Sequence, residues 1–392
     1  MSAGAEVITL GCRLNLAESE RIRALLAGET DVVVVNSCAV TAEAVRTTRQ
    51  AIRKARRRRP AARLLVTGCA AEIERDDLAA MPEVDGFVPN AIKLDPRAWN
   101  APERAEPVQA VHTRAFVAVQ NGCDHACTFC VIPQGRGPSR SLTVAQVLAE
   151  IDRGTMHGAS EVVLTGVDVT SWGHDLPGSP PLGHLVRAIL DAFPGLARLR
   201  MSSLDGIEID PLLLELLAHE PRVMPHLHLS LQHGNDLMLK RMKRRHLRAD
   251  AVDMVRRLKA TRPEIAVGAD LIAGFPTEDD SAHADSLSIV RELEIVHGHV
   301  FPYSARSGTP AARMPQVARQ AIRERAAELR AEVVSVRDRW LESLLGTEQL
   351  VLAEADGTGY GPSFARVALP DGTPRGAIVP IIPTRHEKGL LS

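Results

Sequence analysis

The chain has 392 residues, of which 45% are hydrophobic and 24% are charged, and its formal net charge is -1. This length accommodates two or three domains with separate cores, and the balanced charge excludes a surface that is basic overall, so contact with nucleic acid has to come from local patches. No apolar run reaches the ~18 residues of a membrane span, and the amino terminus lacks the pattern of a signal peptide. We therefore expect a globular, cytoplasmic protein with no membrane partner.

The first ninety residues alternate apolar runs with helical patterns. The apolar runs are AEVITLGC, DVVVVNSC and ARLLVTGC. This alternation predicts βαβ units and a parallel sheet, and valine runs without polar alternation are typical of strands covered on both faces. We expect an N-terminal α/β domain over residues 1–95, and residues 94–112 lack clear periodicity and are interpreted as a linker.

A cysteine follows each of these three predicted strands, namely Cys12, Cys38 and Cys69. The carboxyl ends of parallel strands share one edge of a sheet, where ligands bind. For any one of them, a buried structural cysteine is the ordinary interpretation. Their common position after three successive strands instead favours a shared site.

Six further strands are predicted, at 114–120, 161–167, 198–204, 226–231, 267–275 and 297–303. Helical segments alternate with them, and one begins where Thr143 and Gln146 fit a capping box. Six β/α units over residues 112–345 predict a partial (β/α)6 barrel, smaller than the eight-unit form, with its chemistry at the C-terminal strand ends. Short strand-like runs separated by Gly and Pro over residues 346–392 predict a small β-barrel or β-sandwich.

The segment NGCDHACTFCVIP places Cys123, Cys127 and Cys130 within eight residues. A zinc site would need a fourth ligand or an open position, and His125 lies awkwardly for that role. A cubane iron–sulfur cluster normally takes four thiolates. With three, one iron keeps a vacant coordination position, which suggests that a small molecule binds the cluster.

This C-x3-C-x2-C loop after the first strand of a (β/α) barrel resembles the motif of the radical S-adenosylmethionine (SAM) superfamily. Phe129 matches the aromatic residue often found between the last two cysteines. The resemblance implies a [4Fe–4S] cluster on Cys123, Cys127 and Cys130. It also implies that SAM chelates the unique iron and is cleaved to a 5′-deoxyadenosyl radical.

The segments TLGCRLN, VVNSCAVT and VTGCAA resemble the cluster-binding segments of the methylthiotransferase family within that superfamily. LTGVD, LSLQHGND, DLIAGFPTE and FPYSARSGTPA extend the similarity through the predicted barrel. The resemblance implies that Cys12, Cys38 and Cys69 hold an auxiliary [4Fe–4S] cluster carrying the sulfur to be inserted, which a second SAM methylates. The C-terminal module resembles a TRAM domain, an RNA-binding barrel.

TLGCRLN and NSCAVTAEAVRTTRQAIRKARRRRP are most similar to the MtaB-type branch. That branch implies tRNA as substrate, with methylthiolation at C2 of N6-threonylcarbamoyladenosine next to the anticodon. We also expect an electron donor such as flavodoxin or ferredoxin, and a monomer. The alternatives are methylthiolation of isopentenyladenosine in tRNA or of a ribosomal-protein aspartate and, from another class, an RNA-binding protein stabilised by zinc.

By motif position, six residues at predicted strand ends are candidates for SAM contact: Gly166, Asp168, Ser203, Asp205, Gln232 and Gly274. Gly and Asp are also common after strands for backbone reasons alone, so turn chemistry is the competing interpretation. Two histidine pairs, His226/His228 and His297/His299, each share one strand face. Polar barrel lining is the favoured interpretation of these pairs over a metal site.

Two basic segments are candidates for RNA phosphate contact. The first comprises Arg46, Arg49, Arg53, Lys54 and Arg56 to Arg59, and the second Lys240, Arg241, Lys243, Arg244 and Arg245. The competing interpretation is an ordinary solvated helix face.

Overall fold

A computed structural model of the chain describes residues 4–101, 113–156 and 158–392. The first part comprises β1 Glu6–Thr9, α1 Arg13–Leu25, β2 Val32–Ser37, α2 Ala42–Arg58, β3 Arg63–Gly68, α3 Cys69–Ile73, α4 Arg75–Ala79 and β4 Gly86–Phe87. These strands form one parallel sheet in the order β1-β2-β3-β4. Alternate valines of β2 enter different hydrophobic clusters, with Val33 in one and Val34 in the other. The expectation of a parallel sheet covered on both faces is confirmed.

Part of the segment interpreted as a linker is folded. Residues Pro96–Trp99 form a 3-10 helix that begins at Asp95, whose side chain accepts a hydrogen bond from the amide of Arg97. Trp99 is buried in the N-terminal core, and its indole donates to the carbonyl of Lys93. The prediction of a linker was wrong for this stretch because a single buried tryptophan, without periodicity around it, anchors the chain. Residues 102–112 lie outside the described ranges.

The second part comprises β5 Arg114–Ala118, β6 Gln120–Asn121, α5 Ile132–Arg136, β7 Arg140–Ser141, α6 Val144–Met156, β8 Glu161–Thr165, α7 Leu182–Ala192, β9 Leu199–Met201, α8 Pro211–His219, β10 His226–Gln232, α9 Asp236–Arg241, α10 Arg248–Thr261, β11 Ala266–Ala273, α11 Asp280–Glu292, β12 Ile295–Pro302 and α12 Arg319–Ser343. Further 3-10 turns lie at Val169–Ser171, Gly206–Glu208 and Pro310–Arg313. The six predicted strands are present as β5, β8, β9, β10, β11 and β12. The short antiparallel pair of β6 with β7 was not predicted.

The six predicted strands run parallel in chain order, as β5-β8-β9 and β10-β11-β12. Two isolated parallel bridges join the groups, Leu199 to Val223 and Leu204 to Leu229. One large hydrophobic core lies between these strands and their helices. The predicted capping box is confirmed: the Thr143 amide donates to the Gln146 side chain at 2.9 Å, and the Gln146 amide donates back to the Thr143 hydroxyl at 3.3 Å.

The C-terminal module comprises β13 Gln349–Ala353, β14 Thr358–Tyr360, β15 Arg366–Ala368, β16 Ile378–Ile381, β17 His386–Glu387 and β18 Leu390–Leu391. They form one sheet in the order β16-β13-β14-β15-β18-β17, antiparallel except between β15 and β18. Its core includes Leu341 of α12. The resemblance to a TRAM domain and the three domain boundaries stay predictions.

No helix within the described ranges has the length and apolar character required to cross a membrane. The cytoplasmic location stays a prediction.

Candidate active site

The three N-terminal cysteines lie together at the carboxyl edge of the parallel sheet. Cys38 directly follows β2, Cys69 opens α3 directly after β3, and Cys12 precedes α1. A Cβ atom built on Gly11 would lie 2.8 Å from the Sγ atom of Cys38, so the turn that carries Cys12 passes close to that thiol. The hydroxyl of Ser37 accepts hydrogen bonds from the amides of residues 70 and 71, which joins the turns of Cys38 and Cys69. We call these three cysteines the sheet-edge trio.

Within the sheet-edge trio, burial favours the neutral thiol of Cys38 over its thiolate. Burial raises the pKa of the Cys38 thiol to about 11, and negative charge on Cys69 or Cys12 raises it further. Cys38 and Cys69 are buried, whereas Cys12 is exposed, and none of the six cysteines forms a disulfide. A metal displaces thiol protons on binding and offsets the cost of buried negative charge. Three thiols at one sheet edge, within electrostatic reach of Cys38, therefore fit a [4Fe–4S] cluster with one open iron.

Cys123, Cys127 and Cys130, here the loop trio, lie between β6 and α5. The loop is closed by its own backbone: the amide of Cys123 donates to the Gly137 carbonyl at 3.1 Å, and the amide of Cys130 donates to the Cys127 carbonyl at 3.2 Å. Burial raises the pKa of Cys123 to about 12 and that of Cys130 to about 11. The same argument of donor set and burial therefore fits a second three-thiolate cluster.

The two trios lie on elements that pack against each other. Helix α5, which follows the loop trio, packs against α3, which begins with Cys69. A Cβ atom built on Gly135 would lie 3.3 Å from the Cβ atom of Cys69, and charge on Cys69 also raises the pKa of Cys130. The interface between the parallel sheet and the six-stranded part thus brings together six cysteines that are scattered in sequence.

Asp168 lies directly beside the loop trio, at the strand end where the sequence placed it. Its carboxylate is 3.9 Å from Sγ of Cys123 and 2.7 Å from Nε2 of His125. Hydrogen bonds to Asp168 and to Glu208 raise the pKa of His125 to about 10. His125 thus pairs with two carboxylates, and its ligand atom also lies within 4.8 Å of Sγ of Cys123. The expectation that it is a poor fourth cluster ligand stays a prediction.

Arg244 occupies a position that the sequence did not indicate. Its guanidinium donates to the Asp205 carboxylate at 2.7 Å and to the Ser230 carbonyl at 2.9 Å, and it lies 3.7 Å from Sγ of Cys127. Burial alone raises the pKa of Asp205, but His246 and Arg244 hold it below its ordinary value. Arg244, which we predicted on the RNA-contacting surface, thus faces the loop trio instead, because Asp205 draws it inward.

The remaining candidates for SAM contact have different surroundings in the structure. Gly166 lies against Gln120, whose side-chain oxygen accepts from the amides of residues 167 and 168 at 3.1 and 2.9 Å. Gln120, absent from the sequence-based candidates, therefore holds the Asp168 turn in place. Gly274 faces Ile322 of α12, and this close packing accounts for a glycine there without a ligand. Gln232 ends β10 with a positive φ of 70°.

The predicted histidine pairs line one interior face. Asp270 of β11 accepts hydrogen bonds from Nε2 of His228 and from Nδ1 of His299, each at 3.1 Å, and the Ser203 hydroxyl lies 3.4 Å from the same carboxylate. Below this layer, His226 stacks on Phe364 of the C-terminal module, with ring centroids 5.2 Å apart. Ligand atoms of His228, Asp270 and His299 lie within 4.8 Å of one another, so the preference for a polar lining over a metal site stays a prediction. The C-terminal module covers the base of this face.

Most arginines of the first basic segment are paired within their own domain. Arg49 contacts Asp77 at 2.6 Å, and Arg56 contacts Asp85 at 2.5 Å while also donating to backbone carbonyls. The other acidic partners are Glu43 for Arg46, Glu83 for Arg53, Glu6 for Arg58 and Asp31 for Arg59. Lys54, Arg57, Lys240 and Lys243 are exposed. Phosphate contact stays a prediction, and it is best supported at these four positions.

Comparison with known proteins adds to this geometry. Residues 117–288 match the radical SAM superfamily and residues 5–89 match a family described as uncharacterized protein family UPF0004. The chain is 42% identical to threonylcarbamoyladenosine tRNA methylthiotransferase MtaB of Rickettsia prowazekii, over 93% of this chain and 91% of that protein. It is 31% identical to the protein of that name from Thermotoga maritima, over 88% and 85%.

Other relatives and structures mark the wider group. A tRNA-2-methylthio-N(6)-dimethylallyladenosine synthase from Chloroflexus aurantiacus is 32% identical, over 90% of this chain and 82% of that protein. The radical SAM methyltransferase TsrM from Kitasatospora setae, solved with cobalamin and a [4Fe–4S] cluster, superposes with a TM-score of 0.56 at 15% identity, over 80% of this chain and 77% of that one. This likeness concerns the fold. Together with the two cysteine trios, these relatives show that the chain belongs to the radical SAM methylthiotransferase family, in its MtaB-type branch.

Proposed function

We propose that this chain methylthiolates C2 of N6-threonylcarbamoyladenosine next to the anticodon of tRNA. The observation that carries the proposal is the pair of neighbouring cysteine trios on a chain 42% identical to an MtaB protein. Replacing an aromatic C–H by C–SCH3 needs a hydrogen-abstracting group and a sulfur donor on either side of one carbon. Two clusters within a single interface supply that arrangement.

The loop trio of Cys123, Cys127 and Cys130 is the ligand set for the cluster that binds SAM. The sheet-edge trio of Cys12, Cys38 and Cys69 is the ligand set for the auxiliary cluster. When bound, the first cluster supplies the electron that cleaves SAM and the second holds the sulfur that is inserted. Cys12 is the exposed member of the sheet-edge trio.

Two charged groups beside the loop trio are suited to the ends of the SAM amino acid. Asp168, held by Gln120 and 3.9 Å from Cys123, is suited to the ammonium group. Arg244, 3.7 Å from Cys127, is suited to the carboxylate, because a guanidinium binds carboxylates through two parallel hydrogen bonds. Asp205 and the Ser230 carbonyl keep the Arg244 side chain in place.

The interior layer of His228, Asp270 and His299 provides a polar wall for a base that enters the six-stranded part. His299 is the most exposed of the three, with 60% of its side chain accessible. We propose that the C-terminal module, in keeping with its TRAM-like sequence, and the exposed basic residues of the two basic segments contact the RNA. A flavodoxin- or ferredoxin-type donor and a monomeric enzyme complete the proposal.

Mass spectrometry of tRNA nucleosides from a strain lacking the gene tests the proposal. We expect the 2-methylthio form of N6-threonylcarbamoyladenosine to disappear and to return on complementation. Loss of 2-methylthio-isopentenyladenosine, or of a modified ribosomal-protein aspartate, would contradict the substrate. A purified protein that binds zinc and no iron would contradict the enzyme class.

A further inference from the structure

Three charged side chains are buried together between the two cysteine trios. Glu18 of α1 accepts from Nζ of Lys93 at 2.5 Å, and its two oxygens accept from Nη1 and Nη2 of Arg136 at 2.8 and 3.1 Å. All three side chains are at most 2% exposed. Glu18 and Lys93 belong to the N-terminal part, whereas Arg136 ends α5, which follows the loop trio. We call this group the buried ion triad.

Such a group is not explained by stability. Removing charges from water costs several kcal/mol per ion, and well-packed apolar side chains stabilise an interface at least as well. The triad also carries one more positive than negative charge. Arg136 lies within electrostatic reach of Cys69 and Cys12, so the thiolates of a metal-bound sheet-edge trio supply the missing negative charge. The triad therefore suits the interface when the cysteines hold a metal.

Hydrogen bonds connect the triad to the loop trio. Nη1 of Arg136 donates to the Asn121 side chain at 2.7 Å, and Asn121 is two residues before Cys123. Arg136 itself is six residues after Cys130. The triad thus holds the cysteine loop at both ends.

The same guanidinium connects to the sheet-edge trio. Nη2 of Arg136 donates to the side-chain oxygen of Asn15 at 2.5 Å. The Asn15 amide then donates to the Leu10 carbonyl at 2.7 Å, just before the turn of Cys12. It also donates to the Ser37 carbonyl at 3.0 Å, directly before Cys38. A single side chain therefore fixes two of the three cysteine turns.

The third turn is connected through β2. Lys93 donates to the Asn36 side chain at 3.2 Å, and the Asn36 amide donates to the Asn15 carbonyl at 3.0 Å. The Ser37 hydroxyl donates to the Thr67 carbonyl at 2.6 Å and accepts from amides just after Cys69. These hydrogen bonds link the turn of Cys69 to the triad through β2.

We infer that the buried ion triad, and Arg136 above all, is the positioning device that sets the spacing and orientation of the two cysteine trios. Arg136 is a positioning residue, since it acts through its hydrogen-bond partners on both sides of the interface. The inference rests on the proposed function, because fixed spacing matters only if a group activated at one trio must meet sulfur held at the other.

The test compares Arg136→Met with Arg262→Met in the reconstituted full-length protein. Arg262 is the matched control: it is also a buried arginine and donates to the carbonyls of Leu217 and Val223, but it lies away from both trios. Arg136→Lys is the second variant, since lysine keeps the charge and loses the planar fork. Three quantities are measured: iron per chain, methylthiolated tRNA per 5′-deoxyadenosine, and the spin–spin interaction between the two reduced clusters by electron paramagnetic resonance.

In Arg136→Met we expect full iron loading, retained SAM cleavage and an altered spin–spin interaction. The product formed per 5′-deoxyadenosine should fall about 100-fold, the effect of a displacement of roughly 1 Å at a reacting centre. Arg136→Lys should lie between this variant and wild type, and Arg262→Met should match wild type.

The inference is overturned if the Arg136 variants keep the wild-type product ratio and spectrum. It is equally overturned if both variants lose half of the iron, because the triad would then be needed for cluster binding rather than for spacing. A wild-type enzyme that loads both clusters, cleaves SAM and forms no methylthio product contradicts the proposed function instead.

Discussion

Each cysteine trio presents three thiols, but the two trios are built in opposite ways. The sheet-edge trio collects Cys12, Cys38 and Cys69 from three separate strand ends, so its geometry exists only when the register of β1, β2 and β3 is correct. The loop trio lies within eight consecutive residues, and hydrogen bonds of its own backbone close the loop. One site therefore depends on long-range packing and the other on local structure.

This difference has a consequence for how each site fails. Local sites survive small shifts of the domain around them, whereas a site assembled from three turns loses its geometry when any one turn moves. The proposed roles also differ, because we assign SAM cleavage to the loop trio and sulfur insertion to the sheet-edge trio. Substitutions that affect one trio at a time should separate the two activities.

The largest expected effect comes from removing one thiol of each trio. Cys12→Ala should abolish methylthiolation and retain SAM cleavage, because only the auxiliary cluster loses a ligand. Cys123→Ala should abolish both. The measurement is 5′-deoxyadenosine and methylthiolated nucleoside from the same reaction. Methylthiolated product from Cys12→Ala would contradict the assignment of the sheet-edge trio to the auxiliary cluster.

A pair of glycine substitutions tests the construction of the two sites. Gly68 has a φ of 89°, and a Cβ there would lie 2.4 Å from the Ser37 carbonyl; Gly122 has a φ of 76°, and a Cβ there would lie 1.9 Å from the Pro138 carbonyl. Gly68→Ala should halve the iron content by removing the auxiliary cluster, and Gly122→Ala should remove the other. Strained backbone of this kind costs roughly 1–3 kcal/mol before any clash is added.

The cluster that each glycine variant keeps identifies the damaged site. Gly68→Ala should still cleave SAM, whereas Gly122→Ala should not. Equal loss of both clusters in both variants would show that the two sites assemble as one unit and would contradict the contrast between local and long-range construction.

Arg244 provides an intermediate effect on the loop trio. Arg244→Gln should weaken SAM binding by about 10- to 100-fold, the equivalent of one charge-assisted interaction of roughly 1.5–3 kcal/mol. The measurement is calorimetric titration of the reconstituted protein with SAM, and Lys240→Gln, an exposed position on the same basic segment, is the control. Equal SAM affinity in wild type and Arg244→Gln would contradict the proposed contact of Arg244 with the SAM carboxylate.

The pH dependence of stability tests the buried histidines at the base of the six-stranded part. Burial lowers the pKa of His297 to about 3 and that of His226 well below 6.5. Below pH 6.5 the unfolded chain protonates these imidazoles while the folded protein keeps them neutral, so their contribution to stability should decline as pH falls below 6.5. The expected slope is about 1.4 kcal/mol per pH unit for each histidine.

Chemical denaturation between pH 5 and pH 7.5 measures this slope. His297→Gln removes one titrating group and should flatten it by the share of one histidine. An unchanged slope in that variant would mean that His297 does not contribute to the pH dependence.

The smallest effect concerns RNA. Replacing exposed Lys54 and Arg57 by Ser should weaken tRNA binding, and the dependence of log affinity on log salt should fall by about one for each phosphate that is no longer neutralised. Arg49→Ser and Arg56→Ser, whose side chains already pair with Asp77 and Asp85, should leave that dependence nearly unchanged. Equal changes in both pairs of variants would contradict the distinction between exposed and paired basic residues.

The sequence alone predicts features that repeat along the chain or that consist of residues close together in it. The cysteine at each strand end, the loop motif and the six alternating strands all follow from periodicity or short spacing. Asp168 was a candidate through the resemblance of the LTGVD motif to the radical SAM superfamily, at a predicted strand end.

Other features depend on contacts that no local pattern encodes. Glu18, Lys93 and Arg136 are far apart in the chain, and each resembles an ordinary surface charge until the fold buries them together. Arg244 belongs to a basic run, and only its pairing with Asp205 distinguishes it from its neighbours. Trp99 anchors a segment without periodicity for the same reason.

The proposed methylthiolation is tested in one reaction of the reconstituted wild-type protein with SAM, a reductant and tRNA carrying N6-threonylcarbamoyladenosine. With about eight iron per chain, the content of two [4Fe–4S] clusters, nucleoside mass spectrometry should detect the 2-methylthio product. Full iron loading and SAM cleavage without this product, or product from isopentenyladenosine alone, would contradict methylthiolation of N6-threonylcarbamoyladenosine by this chain.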